Sequence, residues 1–128
     1  MQSYQLFIKV TKQINIKVGK LGKFIFPVGY YVYTGSAKKN IDNRIKRHLS
    51  KKKNLHWHID YLLNSNAVQI INIKKSRMTE CSLNKKTKGT IIIEGFGSSD
   101  CNLCCRSHLK YEGNLALAEF SANATRRL

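Results

Sequence analysis

Apolar and polar residues alternate through the first third of the chain, and this pattern restricts the region to strands with one buried face. In the segment "SYQLFIKV", one face carries Tyr4, Leu6, Ile8 and Val10. The alternation returns in "QINIKV", and the turn glycines of "GKLGK" then lead into "FIFP" and "YYVYTG". Together these segments predict an antiparallel meander whose last strand stops at Gly35.

The apolar period changes after Asn40, where every fourth residue becomes apolar. The new stripe consists of Ile41, Ile45 and Leu49. It predicts an α-helix that Asn40 caps and whose first turn holds Asp42.

The rest of the chain supplies elements of both kinds. "LHWHIDYLLNS" predicts a second helix, because one face would carry Leu55, Ile59, Leu62 and Leu63. "AVQIINIKK" predicts a strand, "TECSLNKK" a short helix and "TIIIEGF" another strand. The segment "GSSDCNLCCRSHLKY" has no periodicity that favours either structure.

Length and element order together predict one α/β (α+β) domain. A chain of 128 residues suits a single core. We expect a mainly antiparallel sheet flanked by about three helices over residues 1–111. Residues 112–128 differ in composition, since they hold four of the six alanines, and should form a C-terminal helix or a tail foreign to the domain.

Positive charge dominates the composition. Lysine and arginine number 23 against seven acidic residues, which gives a net charge of +16. This excess favours a polyanionic partner such as nucleic acid; a merely solvated basic surface and an anionic membrane are the alternatives. No apolar run approaches the roughly 20 residues of a membrane span, and the N-terminus lacks a signal-peptide core. We therefore expect a cytoplasmic protein without membrane contact.

The acidic residues are few enough to consider individually. Asp42 suits a helix start, and the remaining candidates outside the C-terminal segment are Asp60, Glu80, Glu94 and Asp100. No two of these four adjoin, whereas a two-metal nuclease needs converging carboxylates. Glu94 lacks the following lysine of a Glu-x-Lys nuclease motif, and Asp100 could anchor a turn or approach DNA.

A one-metal phosphodiesterase fits this inventory better. Such a site needs a carboxylate for the metal, a cation for the developing charge and a base for water. Glu80, Arg44 and a tyrosine or histidine could supply them. Arg44 and His48 lie four residues apart, so they project together from the helix. A tyrosine hydroxyl could serve as base only if a neighbouring cation or metal lowered its pKa from about 10.

The segment "HWHID" holds a second group of candidates. His56 and Asp60 are four residues apart and could form a carboxylate-oriented imidazole, while His58 would point elsewhere. The alternative is a helix cap with Trp57 and Tyr61 in the core.

A cysteine cluster raises the question of zinc. Cys101 and Cys104 have the spacing of a zinc-binding pair, and His108 follows at a ligand-like distance. The remaining donor would be Cys81 or Cys105. The alternative is a set of buried cysteines without metal.

The ordered motifs resemble the GIY-YIG nuclease family, which carries two tyrosine motifs on neighbouring strands and then a helix with an arginine. "YTG" resembles the second motif, "QSY" the first, and "SAKKNIDNRIKRHL" the helix. Thr34 stands where that family has isoleucine, and Gln2 and Ser3 stand where it has glycine and isoleucine. "HWHIDYLL", "TEC", "GFGSSDC" and "SHLKY" are similar to a poorly characterised archaeal and bacterial subfamily, sometimes fused to endonuclease III, with an extra hairpin between the tyrosine strands.

The resemblance implies a set of roles. Tyr4 and Tyr33 would be the active-site tyrosines and Arg44 the phosphate-stabilising cation. His48 would be a supporting acid/base or hydrogen-bond group, and Glu80 would be the sole carboxylate ligand of Mg²⁺ or Mn²⁺.

The resulting expectation is metal-dependent hydrolysis of DNA phosphodiester bonds, in repair or recombination, with RNA as an alternative substrate. An endonuclease III-type glycosylase would be a functional associate. The nucleic-acid contacts would come from Lys38, Lys39, Arg47, Lys51, Lys52 and Lys53. Two rival hypotheses are a basic nucleic-acid-binding module without catalysis and a zinc-stabilised structural or partner domain.

Overall fold

The computed structural model describes residues 2–50, 54–97 and 106–114. Its strands are β1 (Gln2–Val10), β2 (Ile14–Val18), β3 (Gly22–Phe26), β4 (Gly29–Ala37), β5 (Val68–Ser76) and β6 (Leu109–Gly113). Its helices are α1 (Ile41–Leu49), α2 (His58–Leu63) and α3 (Glu80–Lys86). The predicted α+β class, with a mainly antiparallel sheet and three helices, is confirmed.

One four-stranded antiparallel sheet, in the order β5-β1-β4-β6, organises the domain. The two nine-residue strands β1 and β4 pair along their whole length, from Gln2 opposite Ala37 to Val10 opposite Gly29. Alternate residues of β1 are fully buried on one face, as the period of two predicts. The core on that face includes Leu6, Ile8, Tyr31, Ile45, Ile59 and Leu62.

The predicted meander is wrong in its connectivity. β2 and β3 pair only with each other, as a separate two-stranded sheet, and β1 pairs directly with β4. The extra hairpin lies between the two tyrosine strands in sequence but outside their sheet. It packs Ile14, Ile16 and Phe24 against the core. A long, uninterrupted β1–β4 register leaves no room for a strand between them.

Three local expectations are also corrected. Asn40 stands at the N-cap of α1 in a left-handed conformation (φ 56°) and makes no side-chain capping bond, since asparagine tolerates that backbone. Leu55 precedes α2 and is exposed rather than packed. β4 continues past Gly35 to Ala37.

The segment "TIIIEGF" is not a strand. Thr90 forms one isolated bridge to Tyr111, and positive φ angles at Gly95 and Gly97 then break the extended chain. The loop instead bonds residues 106–108, through Gly95 N to Arg106 O and His108 N to Phe96 O. Among the described residues no helix is long and apolar enough to cross a membrane.

Candidate active site

Tyr4 projects from β1 beneath a glycine that makes its position feasible. Gly35 is its partner on β4, and a Cβ there would lie 2.6 Å from the hydroxyl oxygen of Tyr4. The ring therefore lies against bare backbone and reaches α1, where its hydroxyl is 2.6 Å from His48 Nε2. Both side chains are buried, so this hydrogen bond is shielded from water.

Tyr33 lies beside this pair on β4, with its ring edge-on to His48. Burial raises the pKa of both Tyr4 and Tyr33, and the charge of Arg44 only partly opposes this effect. The lowering of a tyrosine pKa that a neighbouring cation could provide is thus outweighed by desolvation in the protein alone.

Arg44 extends from the first half of α1 toward the end of β4. One guanidinium nitrogen donates to the Ser36 carbonyl oxygen at 2.8 Å, and the guanidinium stacks on Trp57, 4.4 Å from the ring centroid. The Ser36 carbonyl and the aromatic ring of Trp57 together hold the guanidinium group in place.

Glu80 enters from a third element. Thr79 caps α3, with its side chain accepting from Ser82 N at 3.2 Å, so Glu80 falls in the first helical turn. Ser36 Oγ donates to one carboxylate oxygen at 3.0 Å, and His108 Nδ1 lies 3.0 Å from the other. The carboxylate is 27% exposed while His108 is buried, so a buried imidazole backs a carboxylate that faces open space.

These groups surround one small polar cavity of about 190 Å³. Its lining consists of Tyr4, Tyr33, Ser36, Arg44, Trp57, Glu80, Gly97 and His108. The structure thus brings together four of the five residues that the resemblance implies, and it places His48 directly behind Tyr4. A second cleft of about 470 Å³ shares Ser36 and Arg44 with the first and adds Lys38 and Lys39.

Asp60 lies outside this cavity as the anchor of a buried ion pair. It is fully buried and bonds Arg47 twice, at 2.9 and 3.0 Å. Burial raises the pKa of Asp60, but the Arg47 guanidinium and the backbone N–H groups of Trp57 and His56 outweigh it, so the net shift is downward. His56 reaches Asp60 through its backbone N–H, whereas His58 Nδ1 accepts from Gly97 N at 2.9 Å.

Two further carboxylates form ion pairs at the surface. Asp42 pairs with Lys75, and Glu94 pairs with Arg106. Within the described ranges, no group of three or more histidine, cysteine and acidic residues gathers as a metal cluster. Cys81 is buried on α3. Four of the acidic and cysteine candidates lie outside the described part of the chain: Asp100, Cys101, Cys104 and Cys105.

Sequence reasoning missed several contributors to the cavity. Ser36 bonds Glu80, Trp57 stacks on Arg44, and Gly97 closes one side. His108, a candidate zinc ligand in the sequence, contacts the Glu80 carboxylate through Nδ1. The "YTGS" and "TEC" segments contain Ser36 and Glu80. Only the packing of α3 against the end of β4 brings these two residues together.

The predicted nucleic-acid contacts divide into three groups. Lys38 and Lys39 are exposed and line the second cleft. Arg47 is held by Asp60 and by the face of Trp57. Lys51, Lys52 and Lys53 lie outside the described ranges.

Two of the residues that depart from the GIY-YIG pattern, Ser3 and Thr34, are fully buried. Ser3 Oγ donates to the Met78 carbonyl oxygen at 2.7 Å.

Comparison with known proteins supplies a family. No curated protein and no solved structure matches the chain. A family model matches residues 3–128, which includes both tyrosine strands, all three helices and the C-terminal segment. Because that match spans nearly the whole sequence, the chain belongs to the family described as "Domain of unknown function DUF123".

Proposed function

We propose that this protein is a divalent-metal-dependent endonuclease of GIY-YIG type that hydrolyses DNA phosphodiester bonds. The observation that carries the proposal is the convergence of Tyr4, Arg44 and Glu80 on one small polar cavity. A base, a cation and a carboxylate are what phosphodiester hydrolysis requires. The order of these residues along the chain is also the order of the GIY-YIG motifs that the sequence resembles.

Arg44 would bind the scissile phosphate. Its guanidinium borders both the cavity and the lysine-lined cleft, and a planar guanidinium can donate two hydrogen bonds to a phosphate. Held by Ser36 and Trp57, it would meet the phosphate in a fixed orientation, so charge stabilisation would not require reorganisation during the reaction.

The Tyr4–His48 hydrogen bond gives a route for the proton of the attacking water. As the water oxygen bonds phosphorus, its proton would pass to the Tyr4 oxygen while the Tyr4 proton passes to His48 Nε2. This relay never requires a free tyrosinate, so the raised pKa of Tyr4 is no obstacle. A neutral imidazole nitrogen can accept that proton and later release it to solvent. The bond to the leaving oxygen breaks, and that oxygen takes a proton from solvent.

Glu80 is the residue that would hold the metal. Hard divalent ions prefer oxygen ligands, and the partly exposed carboxylate faces a cavity whose wall also carries the hydroxyls of Ser36 and Tyr4. These donors fit Mg²⁺ or Mn²⁺ with water completing the coordination. A bound ion would supply charge stabilisation at the phosphate oxygens, while His108 would keep the carboxylate oriented.

Lys38 and Lys39 would hold the strand beyond the scissile bond. Their cleft continues from the cavity through Ser36 and Arg44, so a phosphate backbone leaving the cavity would meet both ammonium groups. Contacts of this kind position DNA without reading its sequence.

The test is plasmid and branched-DNA cleavage at low salt with Mg²⁺, Mn²⁺ or EDTA. We expect metal-dependent nicking that falls at least about 100-fold in Glu80→Ala, since one essential charged group is lost. Glu94→Ala is the matched control, because that carboxylate is exposed and pairs with Arg106; its activity should equal that of the wild type. Nicking that survives in Glu80→Ala would contradict the assigned role.

A second candidate is a nucleic-acid-binding module without catalysis. The cleft lined by Lys38, Lys39 and Arg44 favours it, because binding a phosphate backbone requires these cations and no general base. Tight DNA binding that EDTA leaves unchanged, with no cleavage by the wild type, would identify this function.

A further inference from the structure

Trp57 contacts two guanidinium groups. Arg44 and Arg47 stand three residues apart on α1, and the central carbon of each guanidinium is 4.4 Å from the centroid of the Trp57 ring. Such spacing places both side chains on neighbouring positions of one helix face. At 4.4 Å, each guanidinium is close enough to be attracted by the electron-rich indole ring.

Asp60 binds both the Trp57 backbone and the Arg47 side chain. One of its carboxylate oxygens accepts the backbone N–H of Trp57 at 2.8 Å, and both oxygens accept from the guanidinium of Arg47. Arg47 also donates to the Asn54 carbonyl oxygen at 2.8 Å. The segment that carries Trp57 and the arginine behind it are thus tied to one buried anion.

The two arginines have different charge environments as a result. The carboxylate of Asp60 compensates Arg47, whereas Arg44 meets a neutral carbonyl and the indole face on the border of the cavity. Two adjacent cations would otherwise repel and spread apart. The contact of each guanidinium with the indole ring offsets part of this repulsion, and the charge of Arg44 is left to act on an anionic ligand.

We propose that Trp57 is a positioning residue for Arg44, and that Asp60 and Arg47 act by holding Trp57. The consequence for cleavage depends on the nuclease function proposed above, but the stack itself can be tested without it. Without Trp57, Arg44 would keep its charge and lose the fixed orientation in which a phosphate is stabilised best.

Fluorescence tests the stack directly, because Trp57 is the single tryptophan of the chain. The probe is a short phosphorothioate oligonucleotide in EDTA. We expect binding to change Trp57 emission in the wild type. In Arg44→Ala, the emission of the free protein should shift and the oligonucleotide response should vanish. Arg106→Ala, an exposed arginine paired with Glu94, should behave as the wild type. An unchanged spectrum and response in Arg44→Ala would overturn the proposal.

Single-turnover cleavage tests the positioning role. We expect Trp57→Leu to lower the rate constant on the order of 100-fold with little change in DNA affinity, and Trp57→Phe to recover most of the loss. In an Arg44→Lys background, Trp57→Leu should cost little further rate, since coupled residues are not additive. Full additivity, or a loss confined to affinity, would overturn the proposal. If the wild type cleaves nothing, the nuclease function fails while fluorescence still decides the positioning role.

Discussion

Two pairs of tyrosines lie on the same sheet, one pair at the cavity and the other near the β2–β3 hairpin, and all of them except the partly buried Tyr111 are buried. At the cavity end, the hydroxyl of Tyr4 meets His48 Nε2, and Tyr33 lines the cavity beside it. At the hairpin end, Tyr31 donates to the Pro27 carbonyl oxygen at 2.6 Å and Tyr111 donates to the Val28 carbonyl oxygen at 2.7 Å. Tyr31 and Tyr33 even share a strand and a face.

The difference between the pairs lies in what the hydroxyl contacts. Burial raises the pKa of Tyr31 as it raises that of Tyr4, so neither a buried ring nor a shifted pKa distinguishes a functional tyrosine. A backbone carbonyl can only accept a hydrogen bond, whereas an imidazole can take the proton. The same residue type therefore completes the packing at one end and prepares proton transfer at the other.

The largest expected effect compares Tyr4→Phe with Tyr31→Phe. Tyr4→Phe removes the atom between water and His48, so we expect the cleavage rate constant to fall about 100- to 1000-fold. Tyr31→Phe leaves the Pro27 carbonyl without its donor and should cost about 1 kcal/mol of unfolding free energy, with the rate constant unchanged. Cleavage kinetics and urea unfolding on both variants measure the two effects. Equal rate losses in the two variants would remove the distinction.

The two glycines beneath these tyrosines provide a smaller test. A Cβ at Gly35 would meet Tyr4 at 2.6 Å, and one at Gly29 would meet the Tyr111 hydroxyl at 2.9 Å and the Gly113 carbonyl oxygen at 2.5 Å. We expect Gly35→Ala and Gly29→Ala each to lose about 1–3 kcal/mol of unfolding free energy from overpacking. Gly29 also has a positive φ of 142°, so its variant should be the less stable.

Cleavage per folded molecule separates the glycine variants. Gly35→Ala displaces Tyr4 from His48, so its specific activity should fall, whereas folded Gly29→Ala should retain the wild-type value. Circular dichroism gives the folded fraction by which each rate is corrected. A wild-type rate in folded Gly35→Ala would mean that the position of Tyr4 is not critical.

The sheet was largely predictable because its signal is local. Alternation in β1, together with the tyrosine-rich and isoleucine-rich segments that form β4 and β5, indicates strands without reference to the rest of the chain. Strand order was not predictable, because alternation does not show which strands pair. The extra β2–β3 hairpin was expected from the family resemblance alone. The apolar run at 91–93 failed as a strand because glycines and bonds to residues 106–108 determine its path.

The candidate site was predictable where motifs carry it and unpredictable where contacts cross the chain. Tyr4, Arg44 and Glu80 were expected, and all three line the cavity. Trp57 and His108 were assigned other roles because their partners lie 13 and 28 residues away in sequence. An aromatic side chain that contacts two arginines has no sequence signature, since the contact joins two separate parts of the chain.

Alkaline unfolding is the smallest expected effect and shows what the two tyrosine pairs share. The pKa of Tyr4 and that of Tyr31 are raised by burial above the ordinary value near 10. Each neutral hydroxyl therefore contributes stability that is fully present below pH 10 and is lost as the pH rises toward the folded-state pKa. Between those values, each tyrosine should lower the unfolding free energy by about 1.4 kcal/mol per pH unit. Urea unfolding at pH 9, 10 and 11 gives the slope of unfolding free energy against pH. This slope should be less steep than that of the wild type, by the same amount, in Tyr4→Phe and Tyr31→Phe. Lysine titration does not affect the comparison, because it is common to all three proteins. A slope that changes in Tyr4→Phe alone would mean that burial does not raise the pKa of Tyr31.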